Sequence, residues 1–285
     1  MSQELVLIGG FPASGKTTIA KEFTDKGHVR LNRDIAGGQV DDLLPKLKEE
    51  LKKGNSVVMD NLYATKLSRA SAIDAAKSLG VKVKFVQTGA TLEDSQFNAC
   101  SRMMEKCGKV LSPEDHKLSL YKDDPNLFPV VVLYKYRKDY EEPNLNEGFE
   151  SIDKRKFIRK IPSDWVNKAV IFDFDGTLRE STGPEDYPTE VNHVKAFVER
   201  KDKILEYKKN GYILLGASNQ SGIAKGKLTH DTAKACFDET LKQIGVVFEE
   251  TLYCCHKIPP LTCWCRKPNQ GMMVEFFHKY KLDPK

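Results

Sequence analysis

The sequence predicts two α/β domains joined in series, and three observations carry that reading. An apolar run, Leu5-Val6-Leu7-Ile8, feeds straight into Gly10-Phe11-Pro12-Ala13-Ser14-Gly15-Lys16-Thr17, after which the spacing turns helical. Strand, glycine-rich loop and helix in that order open a parallel α/β sheet. Apolar runs then alternate with amphipathic stretches until the hydrophobic period fades between Tyr140 and Lys160. A second strand-like run, Ala169-Val170-Ile171-Phe172, restarts the alternation. A chain of 285 residues has room for two domains of ~100–200 residues, each able to bury a core.

In chain order, His28–Asp34 follows the first helix, and a Lys-rich amphipathic helix is expected from about Val40 to Lys53. The strand Ser56–Asp60, a helix over Ser68–Leu79 and a strand over Val81–Gln87 come next. Ser95–Lys109 reads as an Arg-containing helix followed by polar, Pro-bearing sequence, which suits a mobile lid. Val130-Val131-Val132-Leu133-Tyr134 is a further strand candidate, with the linker expected between about Ser151 and Asp164. Past it, Tyr212-Ile213-Leu214-Leu215 supplies the next strand. The expected domains are residues 1–155 and 165–285.

Composition narrows the setting. Formal charge is +5 with 45 basic and 40 acidic residues, compatible with an anionic polymer as substrate without demanding one. The N-terminus enters a strand with no basic leader or secretory h-region, and nowhere do about 18 apolar residues run together. A soluble, intracellular protein, cytoplasmic or nuclear and with no membrane partner, is expected. Seven cysteines make an awkward disulfide framework, and four crowd between Cys254 and Cys265, which suggests metal binding in a reducing compartment.

The Gly10–Thr17 segment matches G-x-x-x-x-G-K-[ST]. Its glycines let backbone N–H groups close around phosphates, and the helix N-terminus adds partial positive charge. Gly10, Ser14, Gly15, Lys16, Thr17 and Thr18 are the expected ATP-binding residues, with Lys16 on the transferred phosphoryl group and Thr17 on magnesium. This loop alone does not separate kinases from ATPases or GTPases.

More specific is a series of segments in order: Leu31-Asn32-Arg33-Asp34, Val58-Met59-Asp60-Asn61, Ser68-Arg69-Ala70, Gly89-Ala90-Thr91-Leu92-Glu93, Asn98, Arg102, Tyr136–Pro143 and Glu147-Gly148-Phe149. Together they resemble the 5′-hydroxyl polynucleotide kinase domain of polynucleotide kinase-phosphatases, from the P-loop to about Phe149. The resemblance implies that Asp34 takes the proton of the acceptor hydroxyl, that Arg33, Asp60 and Asn61 shape the acceptor side, and that Arg102 neutralises the phosphates during transfer. The bland alternatives are a loop or capping carboxylate for Asp34 and a solvated helix-face side chain for Arg102. Leu62-Tyr63 stands where the family tends to have polar residues.

Phe172-Asp173-Phe174-Asp175-Gly176-Thr177-Leu178 resembles the nucleophile motif of the haloacid dehalogenase superfamily. That implies Asp173 as nucleophile, Asp175 as general acid/base, and magnesium held with the help of both, so that an anionic carboxylate can meet an anionic phosphate. Ser218, within Leu215–Gly222, and Lys267, within Arg266-Lys267-Pro268, supply the expected hydroxyl and cation. Cys254-Cys255-His256 and Cys263-Trp264-Cys265 offer four soft ligands flanking a Pro-containing loop, enough for a closed tetrahedral zinc. By register these are Cys254, His256, Cys263 and Cys265, with Cys255 as the alternative to Cys254. This loop resembles that of histidinol-phosphate and heptose-bisphosphate phosphatases, whereas Ser218–Gly222 and Arg266–Met272 also resemble polynucleotide 3′-phosphatases.

The fold implied is a P-loop NTPase-type parallel sheet followed by a haloacid dehalogenase-like Rossmannoid sheet that is C-terminally incomplete. The superfamily's fourth motif, an acidic pair that helps bind magnesium, would fall after Lys285, so a weak phosphatase is expected. The expected function is end healing of DNA or RNA: ATP-dependent phosphorylation of 5′-hydroxyl ends and hydrolysis of 3′-phosphates, with ATP, Mg2+ and Zn2+ as cofactors. The alternatives are a small-molecule kinase fused to a sugar- or histidinol-phosphate phosphatase, and a sensing module with decayed centres.

Overall fold

In the computed structural model, residues 3–259 and 261–284 are described. The chain forms two compact units. One takes the sequence up to Ala99 together with Ser119–Arg159, and the other takes Cys100–Leu118 together with the sequence from Lys160 onward. The division after Arg159 falls inside the expected linker, but residues 100–118 group with the second unit rather than with the first.

The first unit is built on a five-stranded parallel sheet in the order β2-β3-β1-β4-β5, comprising β1 (Glu4–Gly9), β2 (Val29–Leu31), β3 (Val57–Asp60), β4 (Lys82–Thr88) and β5 (Ser151–Arg155). The side chains of β1 alternate between two cores. Leu5 and Leu7 join Leu47, Met59, Ile73 and Phe85 on one face, while Val6 and Ile8 meet Ala20, Val58 and Val86 on the other. Burial on both faces is why β1 and β3 read as unbroken apolar runs. The helices are α1 (Lys16–Thr24), the short α2 (Arg33–Ala36), α3 (Leu44–Lys52), α4 (Lys66–Lys77), α5 (Leu92–Cys107), α6 (Ser119–Lys122) and α7 (Val131–Asp139). A 3₁₀ turn over Val40–Leu43 precedes α3, so the Lys-rich helix starts later than its sequence suggested. Thr65 caps α4 by accepting a hydrogen bond from the Ser68 amide.

Two expectations are corrected. Val130–Tyr134 is not a strand but the beginning of α7. Leu133 and Tyr136, three residues apart, are its buried positions while Val131 is exposed, so a helical stripe overrides the β-branched run. Part of the expected linker, Ser151–Arg155, is the edge strand β5, paired parallel to β4 from Lys84↔Ser151 to Thr88↔Arg155. Its residues are exposed or only half-buried.

The second unit carries β6 (Ala169–Phe172), β9 (Ile213–Asn219) and β10 (Glu250–Cys254) in a parallel sheet of order β10-β9-β6. An antiparallel pair, β7 (Arg179–Ser181) and β8 (Val194–Ala196), follows the first acidic motif. Helices α8 (Lys201–Lys209), α9 (His230–Ile244) and α10 (Gly271–Tyr280) complete it. Leu214, Phe174 and Phe237 share one core, and Leu215 and Ala217 pack with Met272 and Phe276 in another. Among the described residues no helix is long and apolar enough to cross a membrane. The fourth acidic motif expected beyond Lys285 lies outside the described residues.

Candidate active sites and metal centre

In each unit the motif residues gather at the carboxyl ends of parallel strands, where the backbone turns away and leaves a crevice. In the first unit β1 ends in the Gly10–Thr17 loop and α1 begins at Lys16, with Gly15 at its N-cap in the left-handed region at φ 87°. Gly10 is required by its surroundings: at φ 150°, a Cβ there would lie 1.8 Å from Thr88 Oγ1. Buried Ser14 accepts a hydrogen bond from Thr88 Oγ1 at 2.8 Å, which ties the loop to β4. Lys16 Nζ donates to the carbonyls of Gly10 and Phe11 at 3.1 and 2.7 Å. Its ammonium therefore lies over the loop. Asn98 Nδ2 donates to Ala13 O at 2.8 Å, fixing the loop from α5. Thr18 follows Thr17 in the first turn of α1.

Asp60, at the end of β3, is 1% exposed. It accepts from the Thr17 hydroxyl at 3.3 Å and from Arg30 through both oxygens, at 2.8 and 2.7 Å. Arg30 Nη2 also reaches Thr17 Oγ1 at 3.3 Å. Hydrogen bonds to Asp60 hold the Arg30 guanidinium more firmly charged than usual, against partial burial and with Asp34 adding attraction. Asp60 thus stands beside the expected metal ligand instead of out on an acceptor surface. Thr17 offers a hard oxygen donor at the phosphate loop, of the kind that fits magnesium, with the Asp60 carboxylate beside it.

Asp34 sits in the first turn of α2, half-exposed and paired with Arg33 Nη2 at 2.7 Å. Asn32 caps that helix by accepting from Ile35 N, and donates to Asp60 O at 2.6 Å. Asn61 Oδ1 accepts from the Arg33 amide at 3.2 Å. The two asparagines therefore lock the Arg33-Asp34 turn to the end of β3. Asn61, buried, faces this backbone contact. Arg102 is half-buried on α5, in the part of the helix that groups with the second unit.

In the second unit Asp173 follows β6 and Ser218 lies near the end of β9. Lys267 Nζ pairs with Asp173 Oδ1 at 2.8 Å and donates to Ala217 O at 2.7 Å. Asn219 pins the lysine's backbone: it accepts from Lys267 N at 3.0 Å and donates to Lys267 O at 3.2 Å. Asp175 is gripped on both oxygens, by Arg179 Nε at 2.8 Å and by Gln220 Nε2 at 2.7 Å. Ser218 Oγ lies 3.5 Å from the same carboxylate and accepts from Gln220 at 2.9 Å. Arg179, 1% exposed, lies 5.4 and 4.9 Å from the Phe174 and Phe237 ring centroids. Two carboxylates, one paired with a lysine, suit an ion such as magnesium and attack on a phosphate. Arg30 and Arg179 escaped sequence reading, because neither falls on a spacing that marks it, and Gln220 lies in the Ser218–Gly222 segment without a role read for it.

The four soft ligands converge. One ligand atom from each of Cys254, His256, Cys263 and Cys265 lies within 4.8 Å of every other, and Cys254, buried at the end of β10, takes the place for which Cys255 was the alternative. Hydrogen bonds from Cys254 and Cys263 push His256 up to about 10, and those from Cys254 and Cys265 hold Cys263 far below the usual thiol range. Three cysteine sulfurs and an imidazole gathered in this way form a donor set that fits zinc.

The family model for polynucleotide kinase 3 phosphatase matches residues 168–285. A D-glycero-beta-D-manno-heptose-1,7-bisphosphate 7-phosphatase of Haemophilus influenzae is 34% identical over 127 residues, covering 42% of this chain and 67% of that protein. A Thermoplasma volcanium protein named as a probable D-glycero-D-manno-heptose-1,7-bisphosphate 7-phosphatase is 33% identical over 121 residues, covering 41% of this chain and 79% of its own length. The chain belongs to the haloacid dehalogenase superfamily phosphatases, and its other unit carries a P-loop. A bifunctional polynucleotide phosphatase/kinase of Schizosaccharomyces pombe shares 27% identity with this chain over 156 residues, 54% of this chain. The chain spans about a third of that protein's length, 34%.

Proposed function

We propose that this chain is a nucleic-acid end-healing enzyme that phosphorylates 5′-hydroxyl ends with ATP and hydrolyses 3′-phosphate ends. The observation that carries the reading is the union, on one chain, of a P-loop unit with a second unit matching the polynucleotide kinase 3 phosphatase model. The kinase domain would occupy about residues 1–155 and the phosphatase domain residues 165–285.

In the kinase half-reaction, the P-loop amides, Lys16 and Arg102 would bind and neutralise the ATP phosphates, while Asp34 takes the proton of the 5′-hydroxyl as its oxygen attacks the γ-phosphorus and ADP leaves. Arg33 and the Asn61-held turn place Asp34 toward the acceptor. Magnesium, held by Thr17 beside Asp60, would supply charge neutralisation between the phosphates. In the phosphatase half-reaction, a carboxylate oxygen of Asp173 attacks phosphorus, and Asp175 protonates the departing 3′-oxygen. Asp175 then takes a proton from the water that hydrolyses the aspartyl-phosphate. Lys267 and Ser218 hold the phosphoryl oxygens. Zinc on the four-ligand cluster would be structural, because a closed site leaves no position for water.

A second reading, a small-molecule phosphatase, is favoured by the heptose-bisphosphate relatives and the zinc-type loop. Transfer of labelled phosphate from ATP to a 5′-hydroxyl oligonucleotide, and its release from a 3′-phosphate oligonucleotide, should exceed the same reactions on sugars, nucleosides and sugar phosphates. Preference for the small molecules in both assays would sink the end-healing reading.

A further inference from the structure

Arg30 carries an arrangement that none of the motif reasoning assigns. It lies on β2, whose register places it opposite Val58, two residues before Asp60 on β3. From there its guanidinium grips both oxygens of a carboxylate that is 1% exposed and at the same time reaches the hydroxyl of Thr17. An arginine that served only to join β2 to β3 would need no contact with α1. This one closes a three-member ring of Arg30, Asp60 and Thr17, drawn from two strand ends and the first turn of the P-loop helix.

The ring fixes the direction of a proton. The Thr17 hydroxyl donates to Asp60 Oδ2 at 3.3 Å and one of its two lone pairs accepts from Arg30 Nη2 at 3.3 Å, so a cation is ligated through the other, since a hydroxyl ligates a cation only through a lone pair. Left without a counterion, buried Asp60 would face a large desolvation cost and would be drawn onto the cation itself or protonated. Bidentate arginine satisfies that charge without displacing the hydroxyl's donor bond. We propose that Arg30 is a positioning residue of the kinase centre, holding Asp60 so that Thr17 presents its oxygen to the divalent cation of the nucleotide. This rests on the kinase reading above, and it sets Arg30 apart from Arg33, which pairs with Asp34 at the surface.

The experiment measures ATP affinity of the full chain by calorimetry, with Mg2+ and in EDTA, for wild type, Arg30→Lys and Arg30→Gln, alongside phosphoryl transfer. In wild type, Mg2+ should tighten ATP binding. In Arg30→Lys, which keeps the charge but cannot hold both oxygens, the metal-dependent gain should fall about tenfold, a coupling of ordinary size, while affinity in EDTA is unchanged. Arg30→Gln should lose more of the gain than Arg30→Lys. Two results overturn the inference: a metal-dependent gain in Arg30→Lys equal to that of wild type, or an equal loss of affinity with and without metal, which would make Arg30 a general scaffold residue. Wild type that binds ATP in a Mg2+-dependent way yet phosphorylates no acceptor would defeat the kinase reading and leave the metal-coupling comparison standing.

Discussion

At Asp34 the chemistry hangs on a carboxylate held by its neighbours' backbones. Asn32 caps the turn and Asn61 holds its first amide, so the side chain is presented from a fixed base while itself half-exposed. Asp34→Ala should lower 5′-phosphorylation by ~10²–10⁴-fold, the usual contribution of a positioned acid or base. Lys16→Ala should abolish it through lost phosphate neutralisation. Both variants should leave the circular dichroism spectrum and melting temperature close to wild type, and a folded Asp34→Ala protein with normal turnover would show that another group takes the proton. Lys16 is marked by the spacing of its glycine-rich loop, whereas Asp34 is pointed to by the family resemblance alone. Arg30 and Arg179 were not legible: arginine is ordinarily an exposed side chain, and nothing in Val29-Arg30-Leu31 or Leu178-Arg179-Glu180 signals that the guanidinium turns inward onto a functional carboxylate.

Among the elements, the buried parallel strands β1 and β3 announced themselves, since Leu5–Ile8 and Val57–Met59 are closed off from solvent and apolar throughout. β5 did not, because an edge strand of sequence Ser-Ile-Asp-Lys-Arg buries too little to leave a pattern, and Val130–Tyr134 misled because β-branched residues were placed on a helix with a narrow buried stripe. The zinc-type loop between β10 and α10 was legible to the register, because ligand chemistry fixes spacing more tightly than packing does. Freshly purified protein should carry close to one equivalent of zinc, and Cys263→Ser should release it and raise hydrogen exchange across residues 253–268; metal-free wild type in elemental analysis removes the idea. Acid should weaken retention, since the cysteine thiols must lose their protons to bind metal. A second test concerns α10 itself. Burial, with Glu250 nearby, raises Glu275 above the usual carboxylate range, Lys279 opposing. A raised folded value favours the protonated acid, so this stability is fully present below the unfolded pKa of 4.5 and lost as pH rises through the folded one. Glu275→Gln should therefore melt higher than wild type at pH 7, with the difference vanishing near pH 4. An unchanged melting temperature at pH 7 would show the carboxylate to be solvated.

On the scale of the whole molecule, sequence order and compact units do not coincide. Residues 100–118 lie in the middle of the stretch that reads as kinase, yet they group with the phosphatase unit. Composition gives no sign of this, because a segment's partners are set by tertiary contacts and not by its own period. Inside that unit Trp264 is 1% exposed and its Nε1 donates to His116 Nε2 at 3.3 Å. Trp264 stands between two of the four soft ligands, Cys263 and Cys265, so the imidazole that receives its indole N–H helps fix the ligand loop from 148 residues away in sequence. His116→Ala should destabilise the phosphatase unit by about 1 kcal/mol, the net worth of a hydrogen bond whose buried donor loses its partner. It should also speed zinc release to a chelator and raise exchange over residues 253–268, while Mg2+-dependent ATP binding keeps its wild-type affinity. A variant that loses ATP affinity but holds zinc as wild type does would place residues 100–118 with the kinase after all.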